Sequence, residues 1–175
     1  MNESQRLLRH FVAALAYRTQ VALRDAPEDY SDLRLSPTSR TPHEIVWHMT
    51  GVIGYACTRF TGGTWTPERL ADFEVEVERL HTKLEDLAAE IDSGREPREA
   101  SLAQLLQGPL ADAMTHVGQL AFIRRLAGSP VPPENFMLAD VDPSNVGQEQ
   151  ASPRAPKAGW RPDQPPPPPG RRDPE

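Results

Sequence analysis

Residues 41–56, TPHEIVWHMTGVIGYA, decide the fold class. Thr41 and Glu44 form a T-x-x-E capping box around Pro42, and proline suits the first position of a helix. Behind this start signal Ile45, Met49, Val52, Ile53, Ala56 and Phe60 recur at spacings of three and four, the buried stripe of an α-helix. Gly62-Gly63 ends it. His48 falls on the same stripe, three residues after Ile45 and four before Val52. The segment therefore predicts a helix that carries an imidazole toward the interior.

The pattern repeats on both sides. Upstream, Leu8, Phe11, Val12, Leu15 and Ala22 give residues 3–25 a helical period, followed by a polar connection over 26–40. Downstream, Thr66-Pro67-Glu68 reads as another helix start. Phe73, Val77, Leu80, Leu84, Leu87 and Ile91 then alternate by four and three, a seam for helix packing. Glu74, Glu76, Glu78, Lys83, Glu85 and Asp86 between them read as a solvated face. Ser101 and Gln104 form a further capping box, Gly108-Pro109 predicts a break, and residues 109–127 predict the last helix. Its apolar positions are Leu110, Ala113, Val117, Leu120 and Phe122, and Gly128 is its stop. No segment alternates with period two. The expectation is an all-α, up-and-down four-helix bundle.

That bundle is assigned to residues 1–140 and a Pro-rich tail to 141–175. Nine of the chain's 19 prolines lie between Pro153 and Pro174, a composition that cannot bury enough apolar surface to offset its ordering entropy. The tail is expected to be disordered or polyproline II. With 175 residues and a net charge of −6, the chain suits one globular domain and lacks the basic stripe of a nucleic-acid binder. The single cysteine, Cys57, leaves no internal disulfide and fits a reducing compartment. The polar N-terminus and the absence of an apolar run of about 20 residues argue against a signal peptide or a membrane span. A cytoplasmic protein is expected.

Chemistry concentrates at His48, Asp112 and His116. Asp112 and His116 are four apart and lie one above the other on a helix, so both can point at one spot. His48 on a second helix can supply a third group, and two imidazoles with a carboxylate make a three-point divalent-metal site. Neighbours Leu110, Ala113 and Val117 imply that Asp112 is partly buried, and a buried carboxylate needs a partner or a cation. Gln119, three residues after His116, is a candidate hydrogen-bond donor in support of that ring. The competing reading is a hydrogen-bonded polar cluster in a non-catalytic dimeric bundle that binds a small molecule or partner without metal. Cys57 reads as a small core residue, Glu44 as the cap of Thr41, and His10, His43 and His81 as exposed. Arg124 and Arg125 sit favourably at a helix C-terminus, where they can also take an anionic group.

The stretches TPHEIVWHMTGVIGYA, 41–56, and DAMTHVGQLAFIRRLAG, 112–128, resemble the DinB-like metalloenzyme family, over roughly residues 5–140. The resemblance implies a four-helix bundle, commonly dimeric, with a divalent metal held by three histidines. One histidine comes from the second helix and two, four apart, from the fourth. His48 matches the first and His116 the last, while Asp112 stands where the family has its middle histidine. Aspartate can ligate zinc, nickel, manganese or iron, so the implied site becomes two histidines and a carboxylate. The resemblance further implies a small-molecule substrate, with a low-molecular-weight thiol activated by the metal in thiol-dependent transfer or a metal-assisted hydrolysis as the chemistry.

Overall fold

Four long helical segments follow from the start signals, and a computed structural model describes them over residues 1–153. Helix α1 spans Glu3–Leu23, α2 Pro42–Thr61 and α3 Phe73–Asp92. A short α4, Leu102–Leu105, runs through a π turn, Leu106–Leu110, into α5, Ala111–Leu126. Among the described residues there is no strand. The capping boxes expected at Thr41/Glu44 and Ser101/Gln104 both close, and Asn2 with Gln5 forms a third at the start of α1. At α2, the Thr41 N–H donates to Glu44 Oε2 at 2.9 Å and the Glu44 N–H to Thr41 Oγ1 at 3.2 Å. That backbone bond, with Arg34 beside it, holds the Glu44 carboxyl below its ordinary range.

Two expected boundaries differ. Thr66-Pro67-Glu68 does not open a helix; α3 starts at Phe73, with Asp72 Oδ1 accepting from the Val75 N–H. Gly108-Pro109 does not break the last helix either, because the backbone stays helical from Leu105 through Ala111. Proline in a regular helix collides with the carbonyl four residues back. The wider π turn accommodates Pro109 and shifts the register of α5 relative to α4.

Helix directions come from side-chain contacts. Gln5 bonds the Gly94 carbonyl and Gln20 bonds His81, so α1 and α3 are antiparallel. Thr50 reaches Glu76 and Cys57 reaches the Lys83 carbonyl, so α2 and α3 run the same way. Leu7 and Leu8 lie near Leu102 and Leu106 while Arg124 reaches the Ala22 carbonyl, so α5 runs with α1. The order is up, down, down, up rather than the alternation expected from the sequence. The reason is the strap 62–72, which runs back along α2. Trp65 covers Gly54, and the Trp47 Nε1–H donates to the Pro67 carbonyl at 2.9 Å. A helix of 20 residues is about 30 Å long, and 11 extended residues can retrace it.

The stripes meet in one core. Ile45, Met49, Ile53, Leu80, Leu84, Leu87, Ile91, Leu110 and Leu120 are buried together with Tyr30. Burial of each such side chain contributes roughly 1.5–3 kcal/mol before entropy is counted. Phe122, expected on the core face of the last helix, is 56% exposed. Arg124 takes the interior instead. It is 4% exposed and donates to the carbonyls of Ala22, Arg24 and Asp25 and to Ser129, stitching the end of α5 to the end of α1. That spends its donors on structure rather than on an anionic ligand.

Three further expectations are corrected. His81 is buried, with Nδ1 bonded to the Val146 carbonyl and Nε2 to the Gln20 amide. His43 is buried edge-on against Phe73, at 5.6 Å between centroids, whereas His10 is exposed as expected. Glu76, assigned to a solvated face, is fully buried, accepting from Thr50, Arg79 and the Leu70 N–H of the strap. Parallel packing of α2 on α3 turns that side inward. The chain also stays packed beyond residue 140: Val146 is buried, and Arg24 donates to the Gln150 carbonyl. From residue 154 the proline-rich tail lies outside the described residues.

Candidate metal centre

His48 reaches the site because the capped start of α2 sets which way that helix's stripe faces, and Asp112 and His116 because the π turn sets the register of α5. The three side chains meet between the two helices. His48 Nε2 lies 3.3 Å from Asp112 Oδ2, and His116 Nε2 lies 3.5 Å from Asp112 Oδ1. The imidazoles stand edge to face at 4.7 Å between centroids, and one ligand atom from each residue falls within 4.8 Å of the others. Two ligands about 2.1 Å from one cation, at tetrahedral or octahedral angles, are roughly 3.0–3.4 Å apart, so small side-chain rotations suffice to close the set.

His116 is the best-prepared member. It is buried, and its Nδ1 lies 2.8 Å from Gln119 Oε1. In the tautomer whose Nδ1–H donates to that oxygen, the Nε2 lone pair is left facing Asp112. In that tautomer Nε2 and Asp112 Oδ1 face each other at 3.5 Å, an arrangement that a proton or a metal ion can bridge. Gln119 thus contacts the ring as expected, through its oxygen rather than as the donor the sequence suggested. Asp112 differs from expectation, since its side chain is 47% exposed. Half-solvated, it needs no cation on grounds of burial, so the case rests on convergence. His48 is drawn below its ordinary pKa by burial first, then by Arg40 and His116, against the opposing pull of Asp112. Its neutral, ligating form is therefore favoured.

The chemistry opens onto a cavity of about 890 Å³. Val52 and Tyr55 of α2, Trp65 and Pro67 of the strap, and Pro109 of the π turn form much of its wall. Sequence reasoning did not single out Trp47, Tyr55 or Trp65. Trp47 and Tyr55 lie off the buried stripe, and Trp65 lies in the connection taken for a helix start. Cys57 is remote from this cavity; its thiol donates to the Lys83 carbonyl at 3.6 Å, and burial, with Asp86 adding, pushes it up to about 12. A thiol so raised is a core residue rather than a nucleophile.

No protein-family model, curated protein or solved structure matches the chain.

Proposed function

We propose that the chain is a DinB-like four-helix bundle holding a divalent cation at His48, Asp112 and His116, and that it is a metal-dependent enzyme of small molecules. Zinc, nickel, manganese and iron all suit two imidazoles and a carboxylate. The reading is carried by one observation: three donors from α2 and α5 converge, with Gln119 orienting the buried ring. Held there, the cation would lower the pKa of a bound water or thiol, the chemistry of hydrolysis or of thiol transfer to an electrophile. His48 and His116 would act as neutral ligands, and Asp112 would balance part of the charge. The cavity beside them gives a substrate access. A cytoplasmic homodimer acting with a low-molecular-weight thiol completes the proposal, on the family resemblance.

Mass-spectrometric metal analysis of the purified full-length chain tests it, with His116→Ala as control. The expected result is close to one equivalent of metal, largely lost in the variant; equal, near-zero metal in both would sink the proposal. Thermal melts add an independent reading, because a cation at 100 times its dissociation constant stabilises the folded state by about 2.7 kcal/mol. A chelator should then lower the melting temperature.

The distance of 3.3 Å between His48 and Asp112 also suits a direct hydrogen bond, which favours a second reading: a metal-free polar cluster in a non-catalytic bundle. Melts indifferent to chelator and to added metal would select it.

A further inference from the structure

Two glycines three residues apart on α2 behave differently. A Cβ at Gly54 would meet the Trp65 indole at 2.2 Å, so the room left by its missing side chain is filled by the strap. A Cβ at Gly51 would meet nothing within 4 Å among the described residues. Glycine inside a helix costs about 1 kcal/mol relative to alanine, and no packing partner accounts for it at Gly51. Gly51 lines the cavity beside His48. Trp47 and Tyr55, one turn to either side of it on α2, and Trp65 of the strap line the same cavity.

The charges around that space are one-sided. Among the described residues Asp112 is the only carboxylate lining it, and no lysine or arginine does. Arg59 over Tyr55 and Lys83 over Trp65, each 4.6 Å from a ring centroid, stack on the rings without lining the cavity, and Arg40, which acts on His48, does not line it either. An anionic ligand body would face Asp112 with no lysine or arginine among the described lining residues to receive it. A cationic body would compete with His48 and His116 for that carboxylate. A volume of about 890 Å³ is within the usual range for a small-molecule site.

We propose that this cavity binds a small molecule with an uncharged aromatic body, which stacks over Gly51 against the Trp47, Tyr55 and Trp65 wall and presents its polar end to His48 and Asp112. The orientation rests on the metal-centre reading; the binding of the body does not. The strap is then part of the specificity apparatus, since Trp65 and Pro67 belong to it.

Equilibrium dialysis of the full-length chain, metal-loaded and chelator-treated, tests the proposal with three probes of similar size: 2-naphthol, decahydro-2-naphthol and 2-naphthoate. In chelator-treated protein 2-naphthol should saturate at one per chain and bind at least tenfold tighter than the saturated alcohol or the anion. Gly51→Leu, which fills the space while leaving His48, Asp112 and His116 themselves unchanged, should weaken 2-naphthol at least tenfold, and Gly51→Ala by less. Circular dichroism and metal content should match the parent in both variants. Equal binding of the three probes, no saturable 2-naphthol binding, or indifference to Gly51→Leu would overturn it. Metal content of the same samples reads the metal-centre proposal separately, so the two can fail independently.

Discussion

Individual side chains divide the labour at the site. His116 is buried and held by Gln119, His48 is partly covered and kept neutral, and Asp112 faces solvent. Groups that orient a ligating histidine typically account for 10–100-fold in metal affinity. If the proposed metal binds there, Gln119→Leu should weaken it by about that factor while leaving the fold intact, as measured by competition with a fluorescent chelator. An unchanged affinity would mean that the bond to Nδ1 has no part in holding metal. Cys57 gives a contrasting prediction. With its thiol pushed up to about 12, alkylation by iodoacetamide at pH 8 should be roughly a thousandfold slower in the folded chain than in urea. Comparable rates in both states would contradict the buried environment.

Among the elements, the strap 62–72 matters most, because it lets α2 and α3 run parallel and walls the cavity. Its anchor is the fit of Trp65 into the space at Gly54. Gly54→Ala should overpack that contact and destabilise the protein by about 1–3 kcal/mol. In a Trp65→Ala background the same change should become neutral or stabilise by up to about 1 kcal/mol, as the helix propensity of alanine takes over. Urea unfolding of the four proteins closes the cycle. If Gly54→Ala costs the same in both backgrounds, the strap is not held this way. Propensity and capping were legible here, at Thr41, Ser101 and the stripes of α2 and α3. The strap was not, since Thr66-Pro67-Glu68 carries a helix-start signal that Trp47 and Trp65 override by tertiary contact.

Across the whole molecule, His81 joins α3 to Gln20 of α1 and to the Val146 carbonyl of the C-terminal segment. Burial lowers its pKa, against the smaller raising effect of the Val146 carbonyl, and burial lowers that of His48 too. An unfolded chain takes up these protons first as the pH falls through 6.5, the ordinary histidine value. The stability that the neutral rings confer is therefore fully present above that pH and lost progressively below it, toward the lowered folded values. Melting temperature should fall between pH 7 and pH 5, and His81→Gln should flatten the profile. A profile equally steep in the variant would assign the loss elsewhere.

By itself the sequence determined the helices, the capped starts at Thr41 and Ser101 and most of the apolar stripes, because capping boxes and a period of 3.6 are local properties of the chain. It also singled out His48, Asp112 and His116, since spacing on two stripes limits which side chains can share an interior. Only the tertiary structure decided the helix directions, the burial of Glu76, His43 and His81, and the aromatic wall around Gly51. Those depend on which helix lies against which, and that is set by the route of the strap and by the long-range contacts of Arg124, Trp65 and Val146. Such contacts join residues far apart in sequence, so no window along the chain contains both partners.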